Sequence, residues 1–143
     1  MAGKLEYWIT LVAEEWRTLN IIKGNRKVGI VRGDLKNPEI AEKTVRGVDV
    51  VFHYAANPEV RVSTTNPEIH FNENVVATFN LLEAMRKDDV EELLFASSSS
   101  VYGEPESIPV SEEAPTKPVS VYGASKAACK NLIHATDTSS SLI

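Results

Sequence analysis

From residue 28 onward the chain alternates short apolar runs with longer stretches of helical period. Val28 to Arg32, the VDVVFH of 48–53 and the LLFA within 90–97 have the length and apolar content of buried strands. Asn37-Pro38-Glu39 and Asn66-Pro67-Glu68 each set an N-cap asparagine before a proline suited to the first helical position, so each predicts a helix start. The first of these helices should end near Gly47. The second carries Phe71, Val75, Phe79, Leu82 and Met85 at helical spacing and closes on Arg86-Lys87, cations at the negative end of the helix dipole. A polar, proline-rich stretch over 103–118 reads as a surface loop, and Tyr122 to His134 as a further helix. Strands alternating with helices in this way predict an α/β fold built on a parallel sheet.

Residues 1–27 support two readings. Leu5, Trp8, Ile9, Val12, Trp16 and Leu19 fit a helical stripe, whereas YWITLV alone would serve as a buried strand; the helix accounts for the longer pattern. The chain then divides into an N-terminal segment (1–27), a folded body (28–136) and a frayed tail (137–143).

Composition narrows the function classes. With 143 residues, 43% hydrophobic and 24% charged, the chain has the make-up of one soluble globular domain. A formal net charge of −5 and a pI near 5.2 give no overall basic field for nucleic acid or an anionic membrane, which leaves small molecules and proteins as partners. Cys129 stands alone, so no internal disulfide framework forms, and a reducing, cytoplasmic setting fits. No apolar run reaches the roughly 18 residues of a membrane span, and the start lacks the apolar core of a signal peptide. His53, His70 and His134 are too scattered to predict a metal site.

Chemistry enters with YGASK at 122–126. Tyr122 and Lys126 at i, i+4 share one face of the predicted helix. An ammonium beside a phenol favours the phenolate and draws the tyrosine down from a pKa of about 10, toward a general base. FASSSSVYGE at 95–104 follows a predicted strand, and strand ends are where α/β sites form.

SSSSVYGE, the proline-rich loop and PVSVYGASK, in that order, resemble the signature of the extended short-chain dehydrogenase/reductase family, and within it the sugar-nucleotide epimerases. RGDL at 32–35, VDVVFHYAANPEVRVS at 48–63 and NVVATFNLLEA at 74–84 match the same family in the same order. The resemblance implies a Rossmann-like doubly wound sheet, NAD as cofactor, a nucleotide-sugar substrate such as a UDP-sugar, and a homo-oligomer. It also implies roles: Tyr122 as catalytic base or acid, Lys126 as its activator and a ribose contact, and Ser98 as the hydroxyl that orients the proton at the sugar. Asp34, Leu35, Tyr54, Ala55, Ala56 and Asn74 match positions that line the cofactor, with Asp34 beside the adenine. Read without the family, Asp34 caps a turn, the alanines pack, and Asn74 bonds the backbone.

The reaction implied is epimerisation at the sugar C4 by hydride and proton exchange. The related dehydratases carry Asp-Glu just before VYG, where this chain has Ser99-Ser100. Two family features are missing from residues 1–27: a Gly-x-x-Gly-x-x-Gly turn for the pyrophosphate, and an acidic residue for the ribose, where Leu19-Asn20 stands. The segment that builds the sugar pocket is absent after Lys126. The sequence therefore predicts a partial fold with poor NAD affinity, acting as an epimerase, as a truncated product that works only through another chain, or as another reductase of the superfamily.

Overall fold

A computed structural model describes residues 7–11, 28–105 and 107–140. Strand β1 (Tyr7–Leu11) lies parallel to β2 (Val28–Arg32), pairing Tyr7 with Val28 and Leu11 with Arg32. The helix expected through the N-terminal stripe is thus a strand over YWITL, and the rest of that stripe lies outside the described residues. Parallel backbone pairing with β2 outweighs the helical period at this place.

Helix α1 (Pro38–Val45) starts as the sequence predicts. Asn37 Oδ1 accepts the Glu39 N–H at 3.0 Å, Pro38 fills the first position, and Gly47 beyond the end takes φ +70°. Strand β3 (Val50–His53) follows, then a 3₁₀ turn (60–64) and a continuous helical run. That run is a short α2 (Glu68–His70), a π turn (71–76) and α3 (Ala77–Lys87). Its start carries no side-chain cap, and Asn66 contributes only its carbonyl, to the Ile69 N–H. Strand β4 (Glu92–Phe95) pairs parallel with β3, a 3₁₀ turn covers 99–102, and α4 (Val121–Ser140) runs past the end expected near residue 134.

Among the described residues the strands form two separate parallel pairs, β1–β2 and β3–β4, where the sequence led us to expect one sheet. Helix α1 packs on α3 and touches β1, bridging the two pairs. Leu35, Ala41 and Val45 meet Ala77, Leu81 and Met85 in the core between them. The predicted stripe of the long helix is met in part: Leu82 and Met85 are buried and Val75 is half-buried, whereas Phe71 and Phe79 are 56% and 50% exposed and Asn74, Ala77, Thr78, Leu81 and Ala84 are buried instead. Small and polar residues occupy that face because α1 and α4 approach it closely. The opposite face of the strands is bare of described elements over Phe52 and Leu94, register partners that are 60% and 50% exposed.

Candidate functional site

Helix α4 begins on borrowed hydrogen bonds. The Gly123 N–H donates to Ser120 Oγ at 3.0 Å, the Ala124 N–H to the Ser120 carbonyl at 2.8 Å, and the Tyr122 N–H to Ser63 Oγ at 3.3 Å. These satisfy donors that a first turn otherwise leaves free, and they fix where Tyr122 enters the site. One turn on, Lys126 is only 3% exposed. Its Nζ donates to the Ala96 carbonyl at 2.9 Å, just past β4, and sits 4.6 Å from the centre of the Phe95 ring. Burial holds the Lys126 ammonium below the usual lysine range. The pair read from YGASK is therefore buried against the end of a strand, where a solvated surface lysine would not be.

Ser98 caps the 99–102 turn. Its Oγ accepts the Ser100 N–H at 3.2 Å and donates to Ser100 Oγ at 3.1 Å, and the residue is half-buried. This turn presses on α4: a Cβ on Gly123 would stand 2.5 Å from the Ser100 carbonyl oxygen. Gly103, at φ +64°, leaves no room for a Cβ beside the Lys117 carbonyl. Sequence reasoning assigned these glycines nothing, although a Val-Tyr-Gly stands at both places, 101–103 and 121–123.

Asn74, on the π turn, is 1% exposed and committed on all sides. Its Oδ1 accepts the Asn57 N–H at 2.7 Å, and its Nδ2 donates to Ser125 Oγ at 2.9 Å. The Ser125 hydroxyl proton is already spent on the Tyr122 carbonyl at 2.7 Å, which fixes the orientation of the amide. The Asn74 carbonyl accepts from Thr78 Oγ1 at 2.6 Å and from the Cys129 thiol at 3.4 Å. A π turn inserts an extra residue where function or packing demands it, and here it delivers Asn74 between the 57 loop and α4.

A second group gathers on the other side of the π turn. Asp34, Leu35, Ala55, Ala56, Glu73 and Ala77 line one cavity. Four of the residues matched to the family's cofactor positions thus come together, whereas Tyr54 is 72% exposed and outside the lining. Glu73 was not foreseen. It accepts from Asn57 Nδ2 at 2.9 Å, and Lys36 lies 3.3 Å from Asp34 and 3.8 Å from Glu73. Three methyl side chains, of Ala55, Ala56 and Ala77, beside two carboxylates suit a flat ligand that carries hydrogen-bond donors, such as a base amine or ribose hydroxyls. Among the described residues no group of three or more His, Cys, Asp or Glu could hold a metal ion, and no helix is long and apolar enough to cross a membrane.

His53 and His70 stand behind the site. Thr78 gives its proton to the Asn74 carbonyl, so at 2.9 Å the His53 Nε2 must be the donor to Thr78 Oγ1. Burial, with the Lys126 charge second, lowers His53 to about 4, so it is neutral at pH 7. Burial likewise pushes the Cys129 thiol up, away from nucleophilic chemistry.

This geometry has close counterparts. The family described as GDP-mannose 4,6 dehydratase matches residues 10–143. The UDP-glucose 4-epimerase of Streptomyces lividans is 44% identical over 105 residues, which are 71% of this chain and 32% of that protein. The solved MoeE5 in complex with UDP-glucose and NAD is 38% identical, with a TM-score of 0.71 over 76% of this chain and 36% of its own. The DesIV dTDP-glucose 4,6-dehydratase double mutant of Streptomyces venezuelae, solved with NAD and DAU bound, has a TM-score of 0.86 at 26% identity, over 94% of this chain and 42% of its own. The chain spans about a third of the length of the curated relative. Its parallel α/β architecture is that of part of these Rossmann-like folds.

Proposed function

The chain belongs to the GDP-mannose 4,6 dehydratase family, within the extended short-chain dehydrogenases/reductases, and on that premise we propose that it is the NAD-binding part of a UDP-glucose 4-epimerase-like enzyme. The observation that carries this reading is Lys126: a buried ammonium held by the Ala96 carbonyl, four residues after Tyr122, beside the Ser98 turn.

The residues fit the cofactor. Asp34 and Leu35 with Ala55 and Ala56 would hold the adenosine end, with Glu73 beside it, and Tyr122 and Lys126 would serve the nicotinamide end. Bound NAD supplies the hydride chemistry at the sugar C4. One of the three Lys126 donors is used by Ala96, which leaves two for a ribose. Tyr122 takes the proton of the sugar C4 hydroxyl and later returns it. Ser98 orients that hydroxyl. Asn74 holds α4 so that these groups keep their places. Epimerisation rather than dehydration follows from Ser99 and Ser100, which offer hydroxyls where the dehydratases carry an acidic pair.

The substrate is accordingly a nucleotide sugar, with a UDP-sugar favoured by the relatives' names. Interconversion of UDP-glucose and UDP-galactose by the 143-residue chain with added NAD tests the activity. Turnover that disappears in Tyr122→Phe supports the reading, and turnover unchanged in that variant refutes it.

A second reading is favoured by the bare Phe52 and Leu94 face: the chain works only when associated with another polypeptide. Monomeric behaviour in sedimentation, together with NAD-dependent turnover, would rule this out.

A further inference from the structure

Among the described residues, the one buried side chain whose polar atoms go unused stands beside the proposed base. His70 is 0% exposed, and neither of its ring nitrogens has a hydrogen-bond partner. Leaving such groups dry costs stability, so a residue that keeps them is expected to serve something else. Its ring lies 5.6 Å from that of Tyr122, centre to centre, at an interplanar angle of 63°. It is also the last residue of α2, immediately before the π turn that delivers Asn74.

His53 gives the contrast. There Thr78 dictates which nitrogen carries the proton. At His70 nothing dictates it, and either tautomer is available without breaking a hydrogen bond. We propose that His70 is a positioning residue for Tyr122 whose uncommitted imidazole dipole turns its positive end toward the phenol as negative charge develops there. In a dry interior such a dipole is little screened. Among the described residues, the charged side chains on the elements packed against α2 are Arg61 in the 60–64 turn, Glu73 on the π turn, and Lys126 and Lys130 on α4, with Glu68 on α2 itself. None of them reaches the His70 nitrogens.

The inference rests on the reading of Tyr122 as the base, yet its test needs neither cofactor nor turnover. The full 143-residue chain is labelled with ¹³Cζ-tyrosine, and Tyr122 is identified among Tyr7, Tyr54, Tyr102 and Tyr122 by Tyr122→Phe. In His70→Phe, which keeps an aromatic ring and removes both nitrogens, Tyr122 should ionise at a pH higher by about 0.5 unit or more. The fold should be at least as stable, since two unpartnered polar atoms are gone. Ionisation at the same or a lower pH overturns the proposal. Should His70→Phe not fold, the ¹⁵N-histidine spectrum of the wild-type chain decides: His70 nitrogen shifts that follow the ionisation of Tyr122 support the proposal, and shifts that ignore it overturn it. Loss of NAD binding or turnover would bear on the proposed function and leave this result standing.

Discussion

The amide nitrogen of Asn74 donates to the hydroxyl of Ser125 at 2.9 Å, and Ser125 donates to the carbonyl of Tyr122 at 2.7 Å, so the π turn holds the first turn of α4 through two consecutive bonds. Asn74→Ala strands both the Asn57 N–H and the Ser125 oxygen. A loss of about 2–3 kcal/mol in urea unfolding is expected. Asn74→Asp, close to isosteric, should do no better at pH 7, because a carboxylate has no proton for Ser125 and the Ser125 proton is already committed.

The contact between α4 and the Ser98 turn depends on glycine. Gly123→Ala sets a methyl against the Ser100 carbonyl, a distance too short to be absorbed by a flexible side chain. A cost of about 1–3 kcal/mol is expected, and Tyr122 and Ser98 should move apart. Thermal unfolding checks the first effect, and NAD affinity the second.

Much of this was legible in the sequence, for identifiable reasons. Asn37, Pro38 and Gly47 have local meanings that tertiary structure rarely overrides, and α1 starts and ends on them. The Tyr122 and Lys126 pair follows from helical spacing alone. Tyr7–Leu11 was misread because apolar side chains spaced for a helix also satisfy a strand whose pairing partner lies some twenty residues on. The π turn left no signal of its own. Its consequence, that Asn74 and Thr78 face inward while Phe71 and Phe79 face outward, reverses what hydrophobicity suggests. Glu73 was missed because a carboxylate on a helix usually reads as a solvated charge. Tyr54 was placed by its family position, and its side chain stands exposed.

His53 makes stability depend on pH. Its folded pKa of about 4 lies below the ordinary 6.5, so the unfolded chain binds more protons across that interval. Stability is full above pH 6.5 and falls as the pH drops toward 4, by up to about 1.4 kcal/mol per unit. Urea midpoints measured from pH 7 to 4.5 should show this slope, and His53→Gln should flatten it.

Lys126 separates folding from binding. Burial lowers its pKa, so the charge is a cost to the fold at pH 7, and that cost is relieved as the pH rises toward the ordinary lysine value. Lys126→Met keeps the buried stem and removes the ammonium. Unfolding should show equal or greater stability, while NAD affinity falls at least tenfold, about 1.4 kcal/mol.

Calorimetric titration of NAD into the folded 143-residue chain, with Lys126→Ala as control, tests the central claim most directly. Saturable binding is expected, weak because residues 1–27 carry no glycine-rich turn motif for the pyrophosphate, and weakened at least tenfold further by the substitution. No binding at millimolar NAD from a folded sample, or binding indifferent to Lys126, would contradict it.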